Sequence, residues 1–166
     1  LLQDRLRQQG YPHRVVNASI SGDTTAGGRA RLADLLKRQN PQIVILELGG
    51  NDGLRGLSLV ETRANLAAMI QSAKASGARV LLTGVHIPPN YGPDYTKKFH
   101  AIYQDLAHSQ RVARVPFLLE GIALNPELMQ ADGLHPRANA QSRILDNVWP
   151  YLKPLLAVAP KPKASN

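Results

Sequence analysis

The sequence predicts an α/β fold in three layers, a parallel sheet sandwiched between helices, on three observations. Short aliphatic runs alternate with helical patterns along the chain. That order implies right-handed βαβ crossovers and helices on both faces of a parallel sheet. The Ile43–Leu48 run is apolar but for Glu47, as suits a strand buried on both faces. Glycine and proline clusters stand where strands should end.

In order, Leu1–Gln9 reads as the tail of a helix stopped by Gly10. The β-branched pair Val15–Val16 marks a strand over 13–17, and a polar turn with Gly22 follows over 17–25. Leu32, Leu35 and Leu36 share one face of a helix over 25–39. The Ile43–Leu48 strand ends sharply at Gly49-Gly50-Asn51-Asp52-Gly53. Leu66, Ile70 and Ala73 define a helix over 60–76, stopped by Gly77. Val80–Val85 is the next strand, and a Pro- and Gly-rich loop spans 86–94. Phe99, Ile102, Tyr103 and Leu106 fall at helical spacing. A strand follows near 114–118. Leu145, Val148, Trp149 and Leu152 form the apolar face of a last helix. One domain over 1–156 is expected, with a disordered tail over 157–166 (AVAPKPKASN).

Composition narrows the chemistry. The 166 residues suffice for one domain with a core, and 43% hydrophobic with 19% charged content is ordinary for a globular protein. No cysteine is present, which excludes disulfides, thiolate metal sites and a cysteine nucleophile. The net charge is +8, but Lys and Arg are scattered, with clusters no denser than Arg29–Arg31, Lys37–Arg38 and Lys97–Lys98. With 5% aromatic residues a base-stacking platform is not expected, nor is a nucleic-acid partner. No apolar run reaches transmembrane length. The chain opens on Leu1 inside an apparent helix, so its native start is expected upstream, where an export signal would also lie.

In such a sheet, ligands bind outside the carboxyl ends of the strands. Four loops meet there: 17–25, 49–56, 86–94 and the segment leading to His135. In Asp132-Gly133-Leu134-His135-Pro136 the carboxyl and the imidazole can meet on one side of a helical turn. A carboxylate on one ring nitrogen leaves the other free to take a proton from a hydroxyl. Pro136 disfavours helix at His135 and suits the first position of a new one. Asn51, after the glycine pair, can present an amide donor to an oxyanion, and Gly22 a backbone N–H. Neither a dinucleotide fingerprint nor a zinc-ligand spacing occurs. No metal or organic cofactor is therefore expected. His86 is expected in a loop or substrate-contact role, and His13, His100 and His108 on the surface.

Taken together, these blocks resemble the SGNH hydrolase superfamily, which includes the GDSL lipases. Within it the likeness is to the bacterial acyl-CoA thioesterase, lysophospholipase and arylesterase group. "VVNASISGDT" is similar to that group's second block, "ILELGGNDGLRG" to its third and "MQADGLHP" to its fifth. "IPPNYGPDY" and the helix "FHAIYQDLA" also fit. The resemblance implies a flavodoxin-like sheet. It also implies Gly22 and Asn51 in the oxyanion hole, His135 as general base and Asp132 as its orienting carboxylate. The family nucleophile is a serine in a Gly-Asp-Ser-Leu block after the first strand, and no Gly-Asp-Ser occurs here. Ser19 and Ser21 lie in the second block, in supporting positions. Gly22-Asp23-Thr24 only mimics the motif, so Thr24 is not expected to be the nucleophile.

The first strand and the catalytic serine are thus expected upstream of Leu1. In the family that strand lies between the second and third, so its absence would leave a breach between 13–17 and 43–48, or a site for another segment. Such a chain is expected to fold poorly by itself and to be inactive without the serine segment. The complete protein is expected to be a monomeric serine hydrolase of small-molecule acyl esters and thioesters. It would act in lipid metabolism in the periplasm, or secreted, in a Gram-negative bacterium. Leu54, Ile87 and Tyr91 would line the acyl chain. Two alternatives remain: a non-catalytic lipid- or carbohydrate-binding protein of the same fold, and a carbohydrate-ester deacetylase.

Overall fold

A computed structural model describes residues 1–157; the expected tail lies, beyond Ala157, outside the described residues. Three strands, β1 (Ile43–Leu46), β2 (Arg79–Thr83) and β3 (Ala113–Val115), form one parallel sheet in the order β1-β2-β3. Six helices surround it: α1 (Leu2–Gln8), α2 (Thr25–Gln39), α3 (Gly50–Leu54), α4 (Leu59–Ala75), α5 (Pro93–Gln110) and α6 (Gln141–Leu156).

The period of two along β2 separates the layers. Val80 and Leu82 face a core built with Leu36 of α2, Leu66, Met69 and Ile70 of α4, and Phe99, Tyr103 and Leu106 of α5. Leu81 faces the other way, with Leu6 of α1 and Val148, Leu152 and Leu156 of α6. Both faces of the central strand are dry, which is why its sequence reads as an unbroken apolar run. The three-layer α/β/α expectation describes this arrangement.

Local signals set the helix ends. The Thr24 side chain caps α2 by accepting the Gly27 N–H, and Ser58 caps α4 through the Glu61 N–H. Pro150 and Pro154 lie inside α6, where each withholds one backbone donor. Among the described residues no helix is long and apolar enough to cross a membrane.

The strand expected at 13–17 is not formed. Those residues belong to no element, and the edge of β1 away from β2 has no strand partner among the described residues. The side-chain amide of Gln3 takes up part of the vacant backbone, donating to the His13 carbonyl at 3.1 Å and accepting the Val15 N–H at 2.8 Å. Val15, Val16, Ile20 and Ile45 are left 38–57% exposed on this side. β-branched residues favour a strand only when a neighbouring strand accepts the ladder, and here none does.

Candidate active site

The segment after β1 is pinned from three helices. Gly49 has φ 107°, and a Cβ there would run into the Tyr103 hydroxyl, which donates to the Leu48 carbonyl at 2.8 Å. Only glycine serves in that left-handed conformation at so close an approach. The expected tight turn is in fact followed by a single helical turn, α3, opened by Gly50 and Asn51. Asp52 points into the protein and is 3% exposed. Its carboxyl accepts the Thr25 N–H at 2.9 Å, the Thr25 hydroxyl at 2.5 Å and the Thr62 hydroxyl at 3.3 Å. It therefore joins the first turns of α2 and α4 to α3.

Asn51 meets the second block directly. Its Nδ2 donates to the Asp23 carbonyl at 2.9 Å. Gly22 beside it has φ 76°, and its carbonyl accepts Arg55 Nη2 at 3.1 Å. Arg31 grips the same loop through Asp23 Oδ2 at 2.9 Å and the Ala18 carbonyl at 2.6 Å. Among the described residues nothing accepts the Gly22 N–H, and Asn51 keeps one amide hydrogen beyond its bond to Asp23. Thr24 is spent as the α2 cap.

Asp132 and His135 also meet, by a different geometry from the helical turn the spacing suggested. The segment is a turn in which Gly133 has φ 67°. Asp132 Oδ1 accepts the N–H groups of Leu134 at 2.9 Å and His135 at 3.0 Å, and Oδ2 lies 2.8 Å from His135 Nδ1. Short polar side chains close turns on their own backbone in this way. The His135 backbone N–H, then its side chain and the Leu134 N–H, hold the Asp132 carboxyl down to a pKa of about 2. Pro136 does not open a helix. It pairs with Met129 in an antiparallel bridge, flanked by Gln130 N–H to His135 O at 2.7 Å and Arg137 N–H to Leu128 O at 2.7 Å. Helical structure resumes at Ala138. The His135 side chain is 70% exposed, with Nε2 directed to no protein partner among the described residues. No hydrogen bond joins this pair to Gly22 or Asn51 among the described residues.

The three residues expected to line an acyl chain fare differently. Tyr91 is 36% exposed and donates its hydroxyl to the Leu54 carbonyl at 2.8 Å, so the two loops touch. Leu54 is half-buried against the core. Ile87 is 5% exposed and packs on Phe99 and the Cα of Gly53, so it shapes the wall from behind rather than by open contact. His100 is not the partnerless surface residue expected. It stacks on His86 with ring centroids 4.1 Å apart. His13 is half-buried and tilted against Tyr11. The supporting roles of Asp52, Arg31 and Arg55 had no signal in the sequence, because their partners stand 8 to 33 residues away.

A family model for the GDSL-like lipase/acylhydrolases matches residues 1–143. The chain belongs to this family. It is 56% identical to the esterase TesA of Pseudomonas aeruginosa over 156 residues, 94% of this chain and 78% of that protein. It is 47% identical to an Escherichia coli protein named thioesterase 1/protease 1/lysophospholipase L1, over 86% of this chain and 68% of that one. The solved structure of TesA superposes with a TM-score of 0.90 at 56% identity, covering 93% of this chain and 86% of TesA. Both curated relatives come from Gram-negative bacteria.

Proposed function

We propose that the complete protein is a serine esterase and thioesterase that works through an acyl-enzyme. The observation that carries this is the Asp132–His135 pair, whose 2.8 Å contact at Nδ1 leaves Nε2 free to accept a proton. In this reading His135 Nε2 takes the proton of a serine hydroxyl as its oxygen bonds to the ester or thioester carbonyl carbon. The Gly22 N–H and the Asn51 amide stabilise the resulting oxyanion. Collapse expels the alcohol or thiol, which receives the proton from His135, and water then releases the acid by the same steps.

The 166 residues hold no Gly-Asp-Ser. We assign the nucleophile to a further segment whose strand sits between residues 13–17 and β1. The unpaired β1 edge and the exposed Val15, Val16 and Ile45 beside it support that seat. A strand there would deliver its C-terminal end to the edge where Gly22, Asn51 and His135 lie. Leu54 and Tyr91 then line the acyl chain, with Ile87 behind them. The names of the relatives support acyl thioesters, lysophospholipids and aryl esters as substrates, hence a role in lipid metabolism. The bacteria they come from support a periplasmic or secreted location.

The test uses the full-length protein on p-nitrophenyl and acyl-CoA substrates. Asn51→Ala should lower kcat by about 10²- to 10³-fold, as loss of an oxyanion donor does elsewhere. His135→Ala should remove turnover while the fold, followed by circular dichroism, stays intact. Unchanged turnover in either variant would refute the assignment.

A further inference from the structure

Three segments remote in sequence meet in a stack of rings beyond the carboxyl ends of β2 and β3. His86, just after β2, lies between Phe117 and the His100 ring of α5. Its centroid is 4.0 Å from Phe117 at an interplanar angle of 7°, and 4.1 Å from His100 at 23°. His100 also accepts the Ile87 N–H on Nε2 at 3.3 Å. A ring nitrogen accepts only when it carries no proton, so this bond requires neutral His100 with its proton on Nδ1.

Protonation would undo both contacts. Nε2 would become a second donor facing the Ile87 N–H, leaving that buried group without a partner. It would also set a charge on the ring stacked against His86. The groups that face the pair are few. Glu120 favours the charged form of His86, while Arg114 and His100 disfavour it. Burial pushes both histidines below the usual 6.5. Folding therefore favours their neutral forms, and the stability they contribute is present above about pH 6.5 and lost as the pH falls below it. The loop they hold carries Ile87, which packs on Gly53, and Tyr91, which bonds to Leu54. Its position thus sets the wall of the acyl site.

We propose that His100 is a positioning residue for substrate binding: through the Ile87 N–H and the stack on His86 it holds the 86–91 loop in its substrate-lining conformation, and it releases that loop when protonated. This rests on the esterase reading of the site. It predicts a KM for acyl esters that rises as the pH falls below 6.5, separately from any change in kcat that His135 governs.

The test is the pH dependence of KM and kcat in the full-length protein, with two variants and an NMR readout. His100→Gln keeps an acceptor for the Ile87 N–H but does not titrate, so its KM should match wild type at pH 8 and stay flat to pH 5.5. His100→Phe keeps a ring to stack but no acceptor, so its KM should be raised about tenfold at every pH. The Ile87 amide resonance should follow the His100 ring titration in wild type and not move in His100→Gln. A KM profile in His100→Gln that tracks wild type, or an Ile87 amide insensitive to His100, overturns the positioning role alone. A wild-type protein that hydrolyses no acyl ester, with the Ile87 amide still titrating, overturns the esterase reading and the loop's substrate role with it.

Discussion

Replacing Asp52 with alanine should cost this protein about 3–4 kcal/mol of stability. Thr25 and Thr62, which donate to the Asp52 carboxyl, are 0% and 1% exposed, so no water replaces it. Thr62 retains the Ser58 carbonyl at 3.0 Å. The Thr25 hydroxyl still accepts from Asn65 at 3.2 Å, but its own proton and the Thr25 N–H lose their acceptor. Two buried donors left unpaired cost about 1–3 kcal/mol each. For a chain of this size the melting temperature should fall by about 10 °C. Asp52→Asn retains one carbonyl oxygen for the Thr25 N–H and places its amide against hydroxyls that can turn to accept it, so it should cost about 1 kcal/mol. Urea unfolding of the full-length protein, with midpoint and slope both fitted, measures the two. If alanine lies within 0.5 kcal/mol of wild type, the carboxyl does not tie α2, α3 and α4 together as described. If asparagine is as damaging as alanine, the charge matters rather than the acceptor geometry.

Other outcomes follow from the same contacts. A Cβ on Gly53 would lie 2.7 Å from Ile87 Cγ2 and 2.8 Å from Phe99 Cε2, so Gly53→Ala should destabilise by about 1–3 kcal/mol and raise KM as Ile87 is displaced. A variant as stable as wild type with an unchanged KM would disprove that packing account. Asp132, held by three hydrogen bonds, should titrate near pH 2 when followed by carboxyl ¹³C NMR. Its carboxyl is depressed below 3.8, so its contribution is present above that value and is lost as the pH falls through about 2. A midpoint near 4 would mean that the turn seen around Asp132 does not persist in solution.

Much of the fold was legible because it depends on patterns within single segments. The α2, α4 and α5 helices announce themselves through apolar spacing, and β2 through an unbroken apolar run that only burial on both faces permits. Asp132 and His135 were legible as a pair, since three residues of chain suffice to bring them together. The conformation was not. Spacing alone suits a helical turn as well as a turn closed on the Asp132 side chain, and the backbone donors of Leu134 and His135 decide between them. Val15–Val16 misled for a related reason: β propensity describes fit to a neighbouring strand, and no neighbour is present to pair with it.

The residue types at the site, and the loops that carry them, were thus determined by sequence alone, because strand order sends every strand's carboxyl end to one edge. Tertiary structure alone decided which side chains hold those loops in place. Asp52 reaching Thr25, Arg55 reaching the Gly22 carbonyl and His100 reaching the Ile87 N–H each join segments that the chain keeps apart. No periodicity or motif encodes such contacts, since they exist only once the two layers of helices have closed on the sheet.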